Sequence, residues 1–80
     1  MTVNQAVCKR IEQILKSKLM SFYRLQIKSG VTPATMQSLR NPARKGCNLK
    51  TVLILIHALE ITPQEFFDSP LFKEENLQLD

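Results

Sequence analysis

Eighty residues make one small domain at most, and a chain of this size buries only roughly 60–65% of its unfolded surface, so its core is modest. A hydrophobic fraction of 44% with four Pro and two Gly argues against disorder, collagen and a coiled-coil rod, and the longest apolar run, Val52 to Ile56, is far short of the roughly 18–20 residues of a membrane span. The net charge of +4 hides an asymmetry: residues 1–50 carry ten Lys and Arg against Glu12 alone, whereas residues 51–80 carry Lys73 against six acids, a segregation that points to nucleic acid or another anionic surface as the partner.

No stretch alternates with period two, and every strong punctuation mark is a helix boundary, which predicts an all-α fold: a compact bundle of about five short helices. The first helix is expected from about Asn4 to about Lys18, with Val7, Cys8, Ile11, Ile14, Leu15 and Leu19 on one face and Lys9, Arg10, Lys16 and Lys18 as a wet face elsewhere. The mixture of charged and apolar residues from Met1 to Lys18 is unlike a signal peptide, so a cytoplasmic location is expected. Ser21 opens a second helix, Phe22 to about Ser29, and Gly30 closes it, because glycine takes the left-handed conformation at little cost. Thr32-Pro33 opens a third, which reaches about Arg40 before Asn41-Pro42 stops it.

Asn41 to Cys47 then reads as a basic loop carrying Arg44, Lys45 and Gly46, and Asn48 caps a fourth helix, Leu49 to Leu59, apolar nearly all round and therefore central. Thr62 and Glu65 have capping-box spacing at the start of a short fifth helix, with Ile61 placed to staple onto Phe66. Ser69-Pro70 marks one further turn, and the end from Asn76 is expected to fray. Residues 1–68 are thus expected to form the folded domain and 69–80 a short acidic extension.

Cys8, Cys47 and His57 cannot complete a four-ligand metal site, and no phosphate-cradling, dinucleotide-binding or catalytic pattern is present, so neither a cofactor, a metal nor an enzymatic activity is expected. The cations beside Cys47 would favour its thiolate, which makes redox sensing the alternative to a plain loop thiol.

The informative unit is helix, Gly-Val turn and capped short helix, Phe22 to Asn41. Ser21-Phe22-Tyr23-Arg24-Leu25, Ser29-Gly30-Val31-Thr32, Thr35-Met36-x-x-Leu39, Asn48-Leu49-Lys50-Thr51-Val52-Leu53 and the closing Ala58-Leu59-Glu60-Ile61-Thr62-Pro63-Gln64-Glu65-Phe66-Phe67 together resemble the Cro/CI-type (XRE) helix-turn-helix regulators of bacteria and phages, over roughly Lys9 to Phe67. The resemblance implies a lambda-repressor-like DNA-binding domain. One position departs from the family pattern: Gln26, four before the turn glycine, stands where the family favours Ala because the two helices of the motif cross closely there.

The resemblance also implies that the helix Thr32–Arg40 enters the major groove of double-stranded DNA. Met36, Leu39 and Val31 form its buried stripe by spacing, leaving Pro33, Ala34, Gln37, Ser38 and Asn41 to face the bases. Gln37 is the best reader, since its amide pairs bidentately with adenine; its plain alternative is a solvated polar side chain. Phosphate contacts are expected from Ser21, Tyr23, Arg24, Thr32, Thr35, Arg40, Arg44, Lys45 and Lys50, with Thr35 either facing a phosphate or bonding back to its own helix. A repressor working as a homodimer is the leading reading, with Ile54, Ala58, Phe67, Leu71 and Phe72 as the candidate dimer surface; Leu71 and Phe72 folding back onto the monomer is the alternative. A second reading is an antitoxin or other protein-binding module, docking a protein partner through its acidic C-terminal segment.

Overall fold

Each helix starts at a residue whose side-chain oxygen takes up an amide that the helix itself leaves unpaired. In the computed structural model, which describes residues 1–79, Thr2 opens α1 (Val3–Lys18), Ser21 opens α2 (Phe22–Ser29), Thr32 opens α3 (Pro33–Arg40), Asn48 opens α4 (Leu49–Ala58) and Thr62 opens α5 (Pro63–Phe67). Four of these caps are legible in the sequence. The fifth, Thr2, forms a full capping box with Gln5: the Gln5 amide donates to Thr2 Oγ1 at 3.1 Å and the Thr2 amide to Gln5 Oε1 at 2.9 Å. The box expected at Thr62 closes on one side only, because the Glu65 carboxylate accepts from the Thr62 hydroxyl at 3.4 Å instead of from its backbone amide.

Two 3-10 turns follow α5, Pro70–Phe72 and Glu74–Asn76, and the described residues hold no strand, only an isolated bridge between Thr2 and Gln78. The expected all-α architecture of five short helices is therefore the observed one.

Two of the helices, α1 and α2, end on left-handed residues. Gly30 (φ 76°) ends α2 where the sequence predicts it. Leu19 (φ 54°) ends α1, with its own amide and that of Met20 donating back to Lys16 and Leu15 at 3.3 and 2.9 Å. This is a Schellman-type closure in which Met20 turns towards the core while Leu19 is 96% exposed. Leu19 thus leaves the apolar face assigned to it by spacing, because the helix has already ended one residue before it.

Val7, Ile11, Ile14 and Leu15 of α1, Leu25 of α2, Met36 and Leu39 of α3, Val52, Leu55, Ile56 and Ala58 of α4, then Leu59 and Phe66 form one core. Packing pairs α1 with α3 and α2 with α4, while α2 and α3 approach less closely. Gln26, which stands where the family favours Ala, is half-buried on α2.

The described part of the C-terminal segment packs back on the helices. The turn Pro70–Phe72 packs on α1, the Phe72 ring lies tilted against Phe66 and edge-on to Phe67 with ring centroids 5.7 and 5.0 Å away, and the Gln78 amide donates to the Met1 carbonyl at 2.7 Å. The end expected to fray from Asn76 is tied to the first two residues, and Asp80 lies outside the described residues.

A β-carbon at a left-handed residue costs on the order of 1–2 kcal/mol, part of which glycine gives back through its greater freedom when unfolded. Leu19→Gly is therefore expected to stabilise the fold by about 0.5–1 kcal/mol, read as a higher denaturant midpoint; a lowered midpoint would show that the turn carries no strain.

Candidate nucleic-acid interface

The polarity of α3 follows from its spacing. Met36 and Leu39 are buried and Val31 packs on the core, so Pro33, Ala34, Gln37 and Arg40 project to solvent, with Asn41 exposed just after them. Ser38 departs from the expected open face. It is half-buried and, with Ala34, Thr35, Arg44, Asn48 and Thr51, lines a groove of about 370 Å³ between α3, the following loop and the start of α4. The Thr35 hydroxyl lies 2.8 Å from that of the cap residue Thr32, at the start of its own helix.

At the starts of α2 and α3, Ser21 Oγ accepts from the Arg24 amide and Thr32 Oγ1 from that of Thr35. The amides of Phe22, Tyr23 and Ala34 have no acceptor within their helices and add donors to the positive ends of the helix dipoles. Tyr23 and Arg24 are exposed beside them. The Arg40 guanidinium sits 4.2 Å from the centre of the Phe22 ring, joining the end of α3 to the start of α2. Lys50 is exposed on the first turn of α4 and lines neither groove beside α3.

Arg44 and Lys45 are exposed on the loop, and neither takes part in the one ion pair among the described residues, Lys28 with Glu60 at 3.2 Å. The loop makes a turn of its own: the Ala43 amide donates to Asn41 Oδ1 at 3.0 Å and the Arg44 amide to the Asn41 carbonyl at 3.1 Å. Cys47 packs on the core at the end of the loop, and further hydrogen bonds come from the start of α1. Asn4 Nδ2 donates to the Leu39 carbonyl at 2.7 Å, the Asn4 amide to that of Lys45 at 3.3 Å, Thr2 Oγ1 to that of Arg44 at 3.3 Å, and Gln5 Nε2 to that of Pro42 at 3.4 Å.

Sequence reasoning missed this set. Two signals point to it: Thr2-x-x-Gln5 is a readable capping pattern, and Asn4, 2% exposed, is a polar residue on an apolar stripe. Two cations assigned to a wet face also change role. Arg10 Nε and Nη2 donate to the carbonyls of Phe66 and Glu65, both at 2.7 Å, capping the end of α5. Lys9 borders the end of α3, lining a second groove with Arg40, Asn41 and Pro42.

The family model of the Cro/C1-type HTH DNA-binding domain matches residues 10–70, most of the chain and all of α2 to α5. The chain belongs to that family. No curated protein and no solved structure matches it. In this Cro/C1-type domain, α2, the Gly30 turn and α3 are the helix-turn-helix, and the domain is that of a DNA-binding regulator. The match begins after Thr2, Asn4 and Gln5, so the residues that anchor the basic loop lie outside it.

No helix among the described residues is long and apolar enough to cross a membrane. The redox-sensing alternative at Cys47 needs a lowered thiol pKa, and the structure gives the opposite: the thiol is half-buried on the core, and desolvation pushes its pKa above the ordinary value. The neighbouring cations project to solvent and do not offset that burial. Cys8 is raised too, first by burial and then by the Glu12 carboxylate, with Arg40 opposing. A raised pKa means less thiolate near neutral pH, so both thiols are expected to react with iodoacetamide more slowly than reduced glutathione does; a faster rate at Cys47 would restore the sensor reading.

Proposed function

We propose that this DNA-binding domain is a sequence-specific transcriptional repressor of bacterial or phage origin, cytoplasmic, working as a homodimer on a palindromic site with α3 in the major groove. The observation that carries this reading is the exposed face of α3, Ala34, Gln37 and Asn41, held outward by buried Met36 and Leu39 and flanked by the exposed cations Arg40, Arg44 and Lys45. Gln37 reads adenine through its amide, and Pro33 and Ala34 give apolar contact at the tip of the helix, where a thymine methyl fits. Ser38 acts from the rim of the groove it lines, beside Arg44. Ser21, Tyr23, Arg24, Thr32 and Thr35 meet phosphates at the two helix starts, and Arg40, Arg44, Lys45 and Lys50 do so around α3.

A domain this small covers few base pairs, so two copies bound one helical turn apart are needed for selectivity. Of the apolar residues that the sequence offers for that dimer contact, Ala58 is buried and Phe72 is packed against Phe66 and Phe67, leaving Ile54, Phe67 and the half-buried Leu71. Leu49 and Leu53 are exposed on α4, near Ile54 along the same helix.

Selection of bound fragments from a random duplex pool tests the reading. A palindrome with half-sites about 10 bp apart is expected; binding without enrichment would contradict sequence-specific regulation. On the enriched site, Gln37→Ala is expected to relax preference at one base pair by about 1–3 kcal/mol while leaving the salt dependence unchanged, and an unaltered preference would remove Gln37 as a reader.

A further inference from the structure

The basic loop is a poor candidate for holding its own shape. Residues 41–48 lie between helices, Gly46 meets nothing within 4 Å of where its β-carbon would be, and the loop's own hydrogen bonds both return to Asn41. Asn41-Pro42 ends α3 early, which leaves the Leu39 carbonyl without the amide that a continuing helix would send it from residue 43. The Ala43 amide goes to Asn41 Oδ1 instead. The Leu39 carbonyl lies inside the molecule, where an unpaired acceptor is costly, and the buried Asn4 carboxamide donates to it at 2.7 Å. Within one turn of chain, the Asn4 amide, the Thr2 hydroxyl and the Gln5 carboxamide take the carbonyls of Lys45, Arg44 and Pro42.

We infer that Asn4, supported by Thr2 and Gln5, is a positioning residue for DNA binding: through the backbone of residues 39–45 it holds Arg44 and Lys45 where they meet phosphates. This inference rests on the reading of those two side chains as phosphate contacts. Without the anchor the loop leaves the position from which Arg44 and Lys45 reach phosphate, so fewer phosphates are neutralised and the salt dependence falls, whereas an anchored loop presents both side chains already placed. The contacts are all to backbone carbonyls, so the anchoring acts on where the loop lies and not on which residues it carries. They come from residues 2–5, which precede the part of the chain that the family model matches.

The test is the salt dependence of binding to a mixed-sequence duplex of about 20 bp, two half-site spans, measured for the whole chain with the folded fraction followed by circular dichroism. Arg44→Ala/Lys45→Ala is expected to flatten the log–log slope by up to about two units, roughly one for each phosphate that is no longer neutralised. Asn4→Leu, which keeps the bulk and removes the donor, is expected to flatten it by at least about one unit and to add nothing further in the Arg44→Ala/Lys45→Ala background. A purely structural role for Asn4 would lower the folded fraction and leave the slope of the folded protein unchanged; that result would overturn the inference. If Asn4→Leu does not fold, Thr2→Val and Thr2→Ser decide: a slope flattened by valine and restored by serine supports the anchoring, and a slope unchanged by valine overturns it. Should Arg44→Ala/Lys45→Ala leave the slope intact, the loop does not touch phosphate, and the inference fails with that reading while the role of α3 stands.

Discussion

The bond from Asn4 to the Leu39 carbonyl settles a conflict between two demands on α3. The helix must end early enough for the chain to turn and bring cations beside it, and Asn41-Pro42 ends it there. Ending it beside the core leaves a carbonyl that water cannot reach, and a buried carboxamide from the first helix supplies the missing donor. Such a bond contributes about 1 kcal/mol when made, but an unmade one costs about 1–3 kcal/mol, which is large beside the roughly 5–10 kcal/mol total stability of a small domain. The geometry of α1, of the end of α3 and of the basic loop is therefore one problem with one solution.

Around that contact the remainder is conventional physics at small scale. Five side-chain caps, each contributing about 1 kcal/mol, start helices too short to persist alone, and the single core made from all of them supplies the stability that none has by itself. Arg10 closes the end of α5 as Asn4 does that of α3. The first helix is thus a polar clasp at two places along its length, and its apolar face does the packing in between.

Much of this is legible in the sequence, and what is not shares a cause. Ser21, Gly30, Thr32-Pro33, Asn48 and Thr62 mark boundaries through chemistry that acts within four residues, and each marks a boundary in the structure. The buried stripe of Met36 and Leu39 follows from helical spacing alone. Asn4 to Leu39, Arg10 to Phe66 and Arg40 on Phe22 join residues 18 to 56 positions apart, with no periodicity to announce them. Leu19 leaves its stripe because spacing extends a helix past its true end. At Cys47 the neighbours in sequence point one way and burial the other, and burial decides the direction of its pKa. Gln26 stands out in the sequence as a departure from the family pattern, and in the structure it is half-buried on α2.

The most direct measurement is a titration of the isotope-labelled chain with the selected duplex, followed by amide and carboxamide resonances. The largest shifts are expected at Ala34, Gln37, Asn41, Arg44 and Lys45, while the Asn4 carboxamide protons stay protected from exchange throughout, as a preassembled anchor requires. Shifts concentrated instead on Leu49, Leu53 and Ile54 of α4, or loss of protection at Asn4 as DNA binds, would contradict an interface built from α3 and a loop held in place before the DNA arrives.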